Sequence, residues 1–203
     1  MIVVVDYGVG NIGAIVNMLD YLGVASVAGE TPAAIGRATK LILPGVGAFD
    51  RAMSMLEERQ LVGPLGEAVR RGTPVLGVCL GMQLLGRRSE EGTRPGLGWI
   101  AADTVRIRPP EGSGLKVPHM GWSEVQPARP SPIFPESNTG ERFYFVHSYH
   151  VVCDDPQDVA ATVEYGGRLC CAVSRGNVHG AQFHPEKSHR YGMRLLRDFA
   201  ERA

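Results

Sequence analysis

Residues 73–85 read TPVLGVCLGMQLL. An apolar, β-branched run, Val75 to Val78, meets Cys79, and a second apolar run, Met82 to Leu85, follows at helical spacing. Gly77 and Gly81 stand two residues to either side of the cysteine. This is the G-x-nucleophile-x-G pattern of a sharp turn from strand into helix, with a thiol as the nucleophile. Such a turn strains the backbone at the nucleophile and brings neighbouring chain so close that a Cβ clashes, which accounts for both glycines. The pattern predicts Cys79 at the carboxyl end of a strand and the N-terminus of a helix, where the helix dipole favours a thiolate. The same residues also read as a buried, inert cysteine between two core elements, since free cysteines are usually buried.

Upstream, Ile2 to Val5 is an apolar run of the kind buried on both faces of a sheet. The loop Asp6-Tyr7-Gly8-Val9-Gly10-Asn11 follows, then helical periodicity from Ile12 to Leu22. Gly8, Gly10 and Gly13 match a bare G-x-G-x-x-G, and Glu30 falls roughly where a ribose-binding acid would. Nothing later in the chain supports a nucleotide site, so the stretch is read as a loop at the sheet edge. Val24 to Ala28 reads as a second strand, and Thr31-Pro32 opens a short helix with a capping residue and then proline. Leu41 to Leu43 is a third strand, running into Pro44-Gly45-Val46-Gly47 and a helix from Ala48 to Glu58. That glycine loop either aims backbone N–H groups at an oxyanion or is a plain turn. Gly63-Pro64 reads as a helix break, with a further helix over Leu65 to Arg71. Strands alternating with helices through residue 86 predict an α/β fold with a doubly wound, mostly parallel central sheet flanked by helices. Ligands in such sheets bind beyond the carboxyl ends of the strands, so the loops at Tyr7, Gly45 and Cys79 are expected to share one crevice.

After Arg87 the texture changes. A polar loop to Gly98 precedes a strand over Trp99 to Arg108 and a turn over Pro109 to Gly114. Pro118-His119-Met120-Gly121-Trp122 reads as an exposed segment, and Pro127 to Pro135, with four prolines, as a loop. Arg142–Val146, Ala160–Tyr165, Leu169–Ser174 and Val178–Phe183 are short strands, read as antiparallel additions to the same sheet, and His189 to Glu201 is a closing helix. The expectation is one domain over residues 1–203. The chain is 44% hydrophobic and 21% charged with zero formal net charge, which gives no electrostatic case for nucleic acid or a membrane surface as partner. MIVVVDYG lacks the basic flank and length of a signal peptide, and no apolar run reaches bilayer-spanning length. The four cysteines, two of them adjacent at Cys170 and Cys171, fit no zinc spacing, so reduced thiols in a cytoplasmic enzyme without metal or cofactor are expected.

A cysteine nucleophile needs a base within hydrogen-bond reach and a group to orient that base. Of six histidines, His184 follows the apolar run Val178 to Phe183, and Glu186 lies two residues on, on the same side of an extended chain. A surface His-Pro-Glu turn is the plain alternative. His147 is the second choice, with no acid two residues away.

GVCLGMQLL at 77–85 and QFHPEKS at 182–188 together resemble the class I, triad-type glutamine amidotransferases, and Pro44–Gly47 resembles their oxyanion strand. DYGVGN at 6–11, LPGVGAF at 43–49, PHMGW at 118–122 and YFVHSYH at 144–150 narrow the resemblance to the glutaminase subunits of imidazole glycerol phosphate synthase, and it spans residues 1–200. Departures fall at Ser123, commonly Asn in that family, and at Ala14 and Ala181, often Ser and Val; none is a triad position. The resemblance implies that Cys79 attacks the side-chain amide of glutamine to form a γ-glutamyl thioester, with His184 as acid and then base, oriented by Glu186. It implies oxyanion donors at Leu80 and in the Gly45-Val46 region, and Gln83 holding the amino-acid end of the substrate. It further implies a heterodimer with a (β/α)8-barrel cyclase, which receives the ammonia and whose ligand switches on an otherwise nearly inactive subunit. Asn11, His119, Met120, Trp122, Tyr144 and Lys187 would face that partner. Other triad glutaminases, such as those of pyridoxal phosphate or anthranilate synthesis, a thiol peptidase on the same sheet, and a non-catalytic binding relative remain alternatives.

Overall fold

The apolar runs of the N-terminal half come together at the centre of a sheet. A computed structural model describes residues 1–135 and 140–203, and its twelve described strands form one sheet. One half is parallel, in the order β2 (Ser26–Gly29), β1 (Ile2–Val5), β3 (Lys40–Gly45), β4 (Val75–Cys79) and β12 (Val178–Ala181). Every residue of β1, β4 and β12 is buried, as strands covered on both faces require. On one face α1 (Ile12–Tyr21) and α6 (His189–Arg202) contribute Ile15, Leu19, Leu195, Leu196 and Phe199 to the core. On the other, α2 (Pro32–Arg37), α3 (Phe49–Glu58) and α4 (Val62–Arg70) contribute Ile35, Phe49, Met53, Leu56 and Leu65. Thr31 Oγ1 accepts from Ala34 N at 3.2 Å, the cap expected for α2.

From β12 the sheet continues antiparallel through β11 (Arg168–Arg175), β10 (Val159–Glu164), β7 (His119–Pro127) and β8 (Glu141–His147). Three further strands hang off this path: β5 (Arg88–Ser89), β6 (Ala102–Arg106) and β9 (Tyr149–Cys153). Three local readings change. Gly63-Pro64 does not break a helix, because α4 begins at Val62 and places Pro64 in its first turn, where no intrahelical N–H is needed. The break lies instead at Arg59-Gln60, where Gln60 takes a φ of 57°. The segment from His119 to Trp122, read as exposed, is the start of a nine-residue strand in which His119 is buried and Met120 and Trp122 are exposed. The strand expected over Trp99 to Arg108 is confined to Ala102–Arg106, and its partner β9 follows β8 with only Ser148 between them. No described helix is long and apolar enough to cross a membrane.

One register positions the site. β4 lies between β3 and β12, with Gly45 beside Cys79 and Ala181 beside Val78. The residues that follow β12 therefore emerge at the same edge of the sheet as the cysteine and the Gly45 loop.

Candidate active site

Cys79 joins β4 to α5 (Leu80–Leu84) with φ 55° and ψ −113°, a conformation that L-residues rarely adopt. Two glycines make it possible. A Cβ on Gly77 would lie 2.6 Å from the Gly81 carbonyl oxygen, and one on Gly81 would overlap the Leu43 carbonyl oxygen. With only five residues, α5 offers a short dipole at most, so the group that answers the sulfur is a side chain from the neighbouring strand.

That side chain is His184. It leaves β12 with an extended backbone, its N–H bonded to the Tyr144 carbonyl at 3.0 Å. Pro185 to Lys187 then form a 3-10 turn, so Glu186 reaches the imidazole by a turn and not by the alternation of an extended chain. Glu186 Oε1 lies 2.8 Å from His184 Nδ1, and both side chains are almost fully buried. Ser188 Oγ ties the turn down, donating to the His184 carbonyl at 2.6 Å and accepting from Tyr144 N at 3.0 Å. Burial alone would push the imidazole pKa down. The Cys79 sulfur and the Glu186 carboxylate, as acceptors and as negative charges beside the imidazole, overcome it and raise the value to about 9. With Nδ1 engaged by the carboxylate, Nε2 is the nitrogen left for sulfur.

His147, the second choice, lines the same pocket without being a base. Its Nδ1 lies 2.8 Å from the Tyr149 carbonyl and its Nε2 3.0 Å from His119 Nδ1, and burial lowers its pKa to about 3. The pocket, about 340 Å³, opens onto Cys79 and His184 and is walled by Val46, Gln83, Glu91 and Tyr149. Gln83 is buried, its Nε2 donating to Gln182 Oε1 at 3.0 Å and to the Tyr149 carbonyl at 3.3 Å. Glu91 Oε2 accepts from Phe49 N at 2.9 Å, which leaves its other oxygen for the pocket. Leu80 opens α5, so its N–H belongs to the first-turn donors without an intrahelical acceptor. Gly45 closes β3 beside Cys79, and Val46 is exposed at the rim.

Besides Glu91 at the pocket wall, two residues of this site escaped the sequence reading. Tyr7, named only as a loop position, is fully buried and donates its hydroxyl to the Pro44 carbonyl at 2.8 Å. Burial, and secondarily the charge of Cys79, pushes its phenol pKa well up, so it stays a donor. A Cβ on Gly45 would come within 2.7 Å of that hydroxyl. Gln182 is completely buried and places Nε2 3.8 Å from Cys79 Sγ. The only sequence signal for either was its place beside a motif glycine or histidine.

The other expected residues divide. Met120 and Trp122 are exposed, at 61% and 37%. Trp122 stacks on His189 at 5.4 Å and meets Tyr144 edge-on, while Lys187 Nζ sits 5.6 Å from the Tyr144 ring centre. Asn11 is exposed at the start of α1. His119 departs from the expectation of a surface contact. It is 1% exposed, stacked between Phe145 and Tyr165, and 2.8 Å from Ser123 Oγ, because alternation along β7 turns it inward where Met120 turns out. Glu30 pairs with Arg59 at 3.8 Å, and Arg59 also holds the Asp6 carbonyl, so the loop read as a weak nucleotide signature is tied to α3's end.

Residues 3–203 match the family Glutamine amidotransferase class-I. Imidazole glycerol phosphate synthase subunit HisH 2 of Pseudomonas aeruginosa is 52% identical over 99% of both chains. The subunit HisH 2 of Methanococcus maripaludis is 45% identical over 100% of both, and the subunit HisH of Bdellovibrio bacteriovorus is 46% identical over 99% of this chain and 100% of its own. Among solved structures, a glutamine amidotransferase superposes with a TM-score of 0.76 at 21% identity, covering 98% of this chain and 97% of that one. PurLQS from Thermotoga maritima superposes at 0.75 and 18%, covering 98% and 96%, a likeness of fold. With a cysteine elbow, a paired histidine and carboxylate, and relatives matched end to end, the chain belongs to the class I glutamine amidotransferases, in the branch of the imidazole glycerol phosphate synthase HisH subunits.

Proposed function

We propose that this glutamine amidotransferase subunit of histidine biosynthesis works through Cys79, His184 and Glu186. The observation that carries the reading is the pocket shared by Cys79 and His184 at the ends of adjacent parallel strands, with Glu186 Oε1 2.8 Å from His184 Nδ1. Cys79 gives its thiol proton to His184 as Sγ attacks the side-chain amide carbon of glutamine. The tetrahedral oxyanion is received by the Leu80 N–H and an N–H of the Gly45-Val46 region. As the C–N bond breaks, His184 gives its proton to the leaving ammonia and a γ-glutamyl thioester remains. Water then attacks the thioester carbon, His184 takes the water's proton, and glutamate leaves with Cys79 restored. Gln83 and Glu91 line the pocket; we assign them to the α-amino-acid end of the substrate, where the acid would be a counter-charge for an ammonium.

The relatives are named as subunits of a synthase, which supports a second subunit here as well. We assign that partner as a (β/α)8-barrel cyclase that takes the ammonia directly, in the cytoplasm, against the face carrying Asn11, Met120, Trp122, Tyr144 and Lys187. Exposed apolar side chains packed with a lysine suit such a face. The continuous sheet supports residues 1–203 as a single amidotransferase domain.

The test is glutamate production by the complex reconstituted with a cyclase subunit. Cys79→Ala is expected to remove it to below about a thousandth of wild type. Hydrolysis near the wild-type rate would end the thioester reading.

A further inference from the structure

We infer that Gln182 is a further catalytic residue: its side-chain amide N–H donates to Cys79 Sγ and supports the charged sulfur opposite His184, in an orientation imposed by the Tyr149 carbonyl. This rests on Cys79 being the nucleophile.

An amide side chain can present either oxygen or nitrogen to a neighbour, so its direction has to be read from groups that cannot reverse. The Tyr149 carbonyl is such a group, since it can only accept. Gln83 must therefore turn its NH2 toward it, at 3.3 Å. The same nitrogen lies 3.0 Å from the Gln182 side chain, so the Gln182 atom facing it is oxygen. The remaining end of Gln182, 3.8 Å from Cys79 Sγ, is then the NH2 group. Reversing both amides would set the Gln83 oxygen against the Tyr149 oxygen, two acceptors in a buried site.

The carbonyl itself is held from a second side. His147 Nδ1, 2.8 Å away, must carry a proton to bond it. His147 Nε2 is then an acceptor for His119 Nδ1–H at 3.0 Å, and His119 Nε2 an acceptor for the Ser123 hydroxyl at 2.8 Å. Burial keeps both imidazoles neutral, which this pattern requires. The Gln182 backbone is fixed as well, its N–H bonded to the Cys171 carbonyl at 2.8 Å. A donor with no conformational freedom and no access to water is thus aimed at the attacking atom. A hydrogen bond to the anionic form favours that form.

Alkylation of Cys79 by iodoacetamide, followed by peptide mass between about pH 5 and 10, reads thiolate availability without glutamine or partner. Gln182→Leu removes the donor, and Gln182→Glu keeps the shape but sets a carboxylate against the sulfur. Both are expected to lower the alkylation rate at neutral pH by about tenfold or more, Glu the more strongly, with the rising limb of the pH profile moved to higher pH. Wild-type alkylation profiles in variants with native circular dichroism would overturn the inference. In that case Gln182 serves only to hold Gln83, and the change appears as a raised KM for glutamine in the complex. Should Gln182→Leu not fold, the near-isosteric Gln182→Glu carries the test alone. Glutaminase activity in Cys79→Ala would instead remove the parent reading, whatever the alkylation profiles show.

Discussion

The parallel and antiparallel halves of the sheet contribute different things to one pocket. In the parallel half, strands buried on both faces bring β4 and β12 out at the same edge, and this places sulfur beside imidazole. In the antiparallel half, β7 and β8 alternate inward and outward, so one strand supplies both a buried histidine, His119, and exposed Met120 and Trp122. The parallel half fixes where Cys79 and His184 are. The antiparallel half fixes which way the surrounding dipoles point and offers an outer face.

The comparison breaks most readily at its parallel side. Gly81→Ala puts a methyl group onto the Leu43 carbonyl, and the β3 backbone cannot yield without disturbing Gly45. The expected outcome is a loss of about 3 kcal/mol or more in denaturant unfolding, with glutaminase activity gone. Trp122→Ala probes the other side. Its indole packs on His189 and Tyr144 at the surface, so binding to the cyclase subunit is expected to weaken about tenfold or more, by titration calorimetry, with a nearly unchanged melting temperature. Unchanged binding would remove the tryptophan from the partner face. Tyr7→Phe tests whether the Pro44–Gly47 loop needs its tether to the parallel half. Loss of the bond to the Pro44 carbonyl is expected to cost about 1 kcal/mol of stability and to lower kcat more than it raises KM.

The smallest effect concerns pH. His184 has its folded-state pKa raised from 6.5 to about 9, so the folded state holds its proton more tightly than the unfolded chain. The associated stability is fully present below about pH 6.5 and is lost as pH rises through about 9. Cys79→Ala removes the sulfur that helps to raise the value, so the variant is expected to lose less stability than wild type between these pH values in urea unfolding. An equal loss in both would mean that Glu186 alone holds the proton.

Legibility followed the same division. Continuous apolar runs made β1, β3 and β4 readable, and the glycine spacing made the elbow readable, because both are written in consecutive residues. β9 was missed because Ser148 alone separates it from β8 and carries no turn signal. Pro64 misled because proline breaks a helix interior yet suits a first turn, and only the start at Val62 distinguishes the two. His119 was taken for a surface contact because its neighbours in the motif are exposed, and the phase of a strand is set by its partners. Gln182 was passed over, although it opens the QFHPEKS motif, because its contact with Cys79 spans 103 residues of sequence.

The sequence by itself determined the strained strand-to-helix turn at Cys79 and the pairing of His184 with Glu186, since both arise from backbone sterics and reach within a few residues. Tertiary structure alone decided that His147 is engaged by the Tyr149 carbonyl and His119, and the direction of the amides at Gln83 and Gln182. Those two are 99 residues apart in sequence, and a hydrogen bond's polarity depends on the acceptor that packing brings to it, not on the residues beside it in the chain.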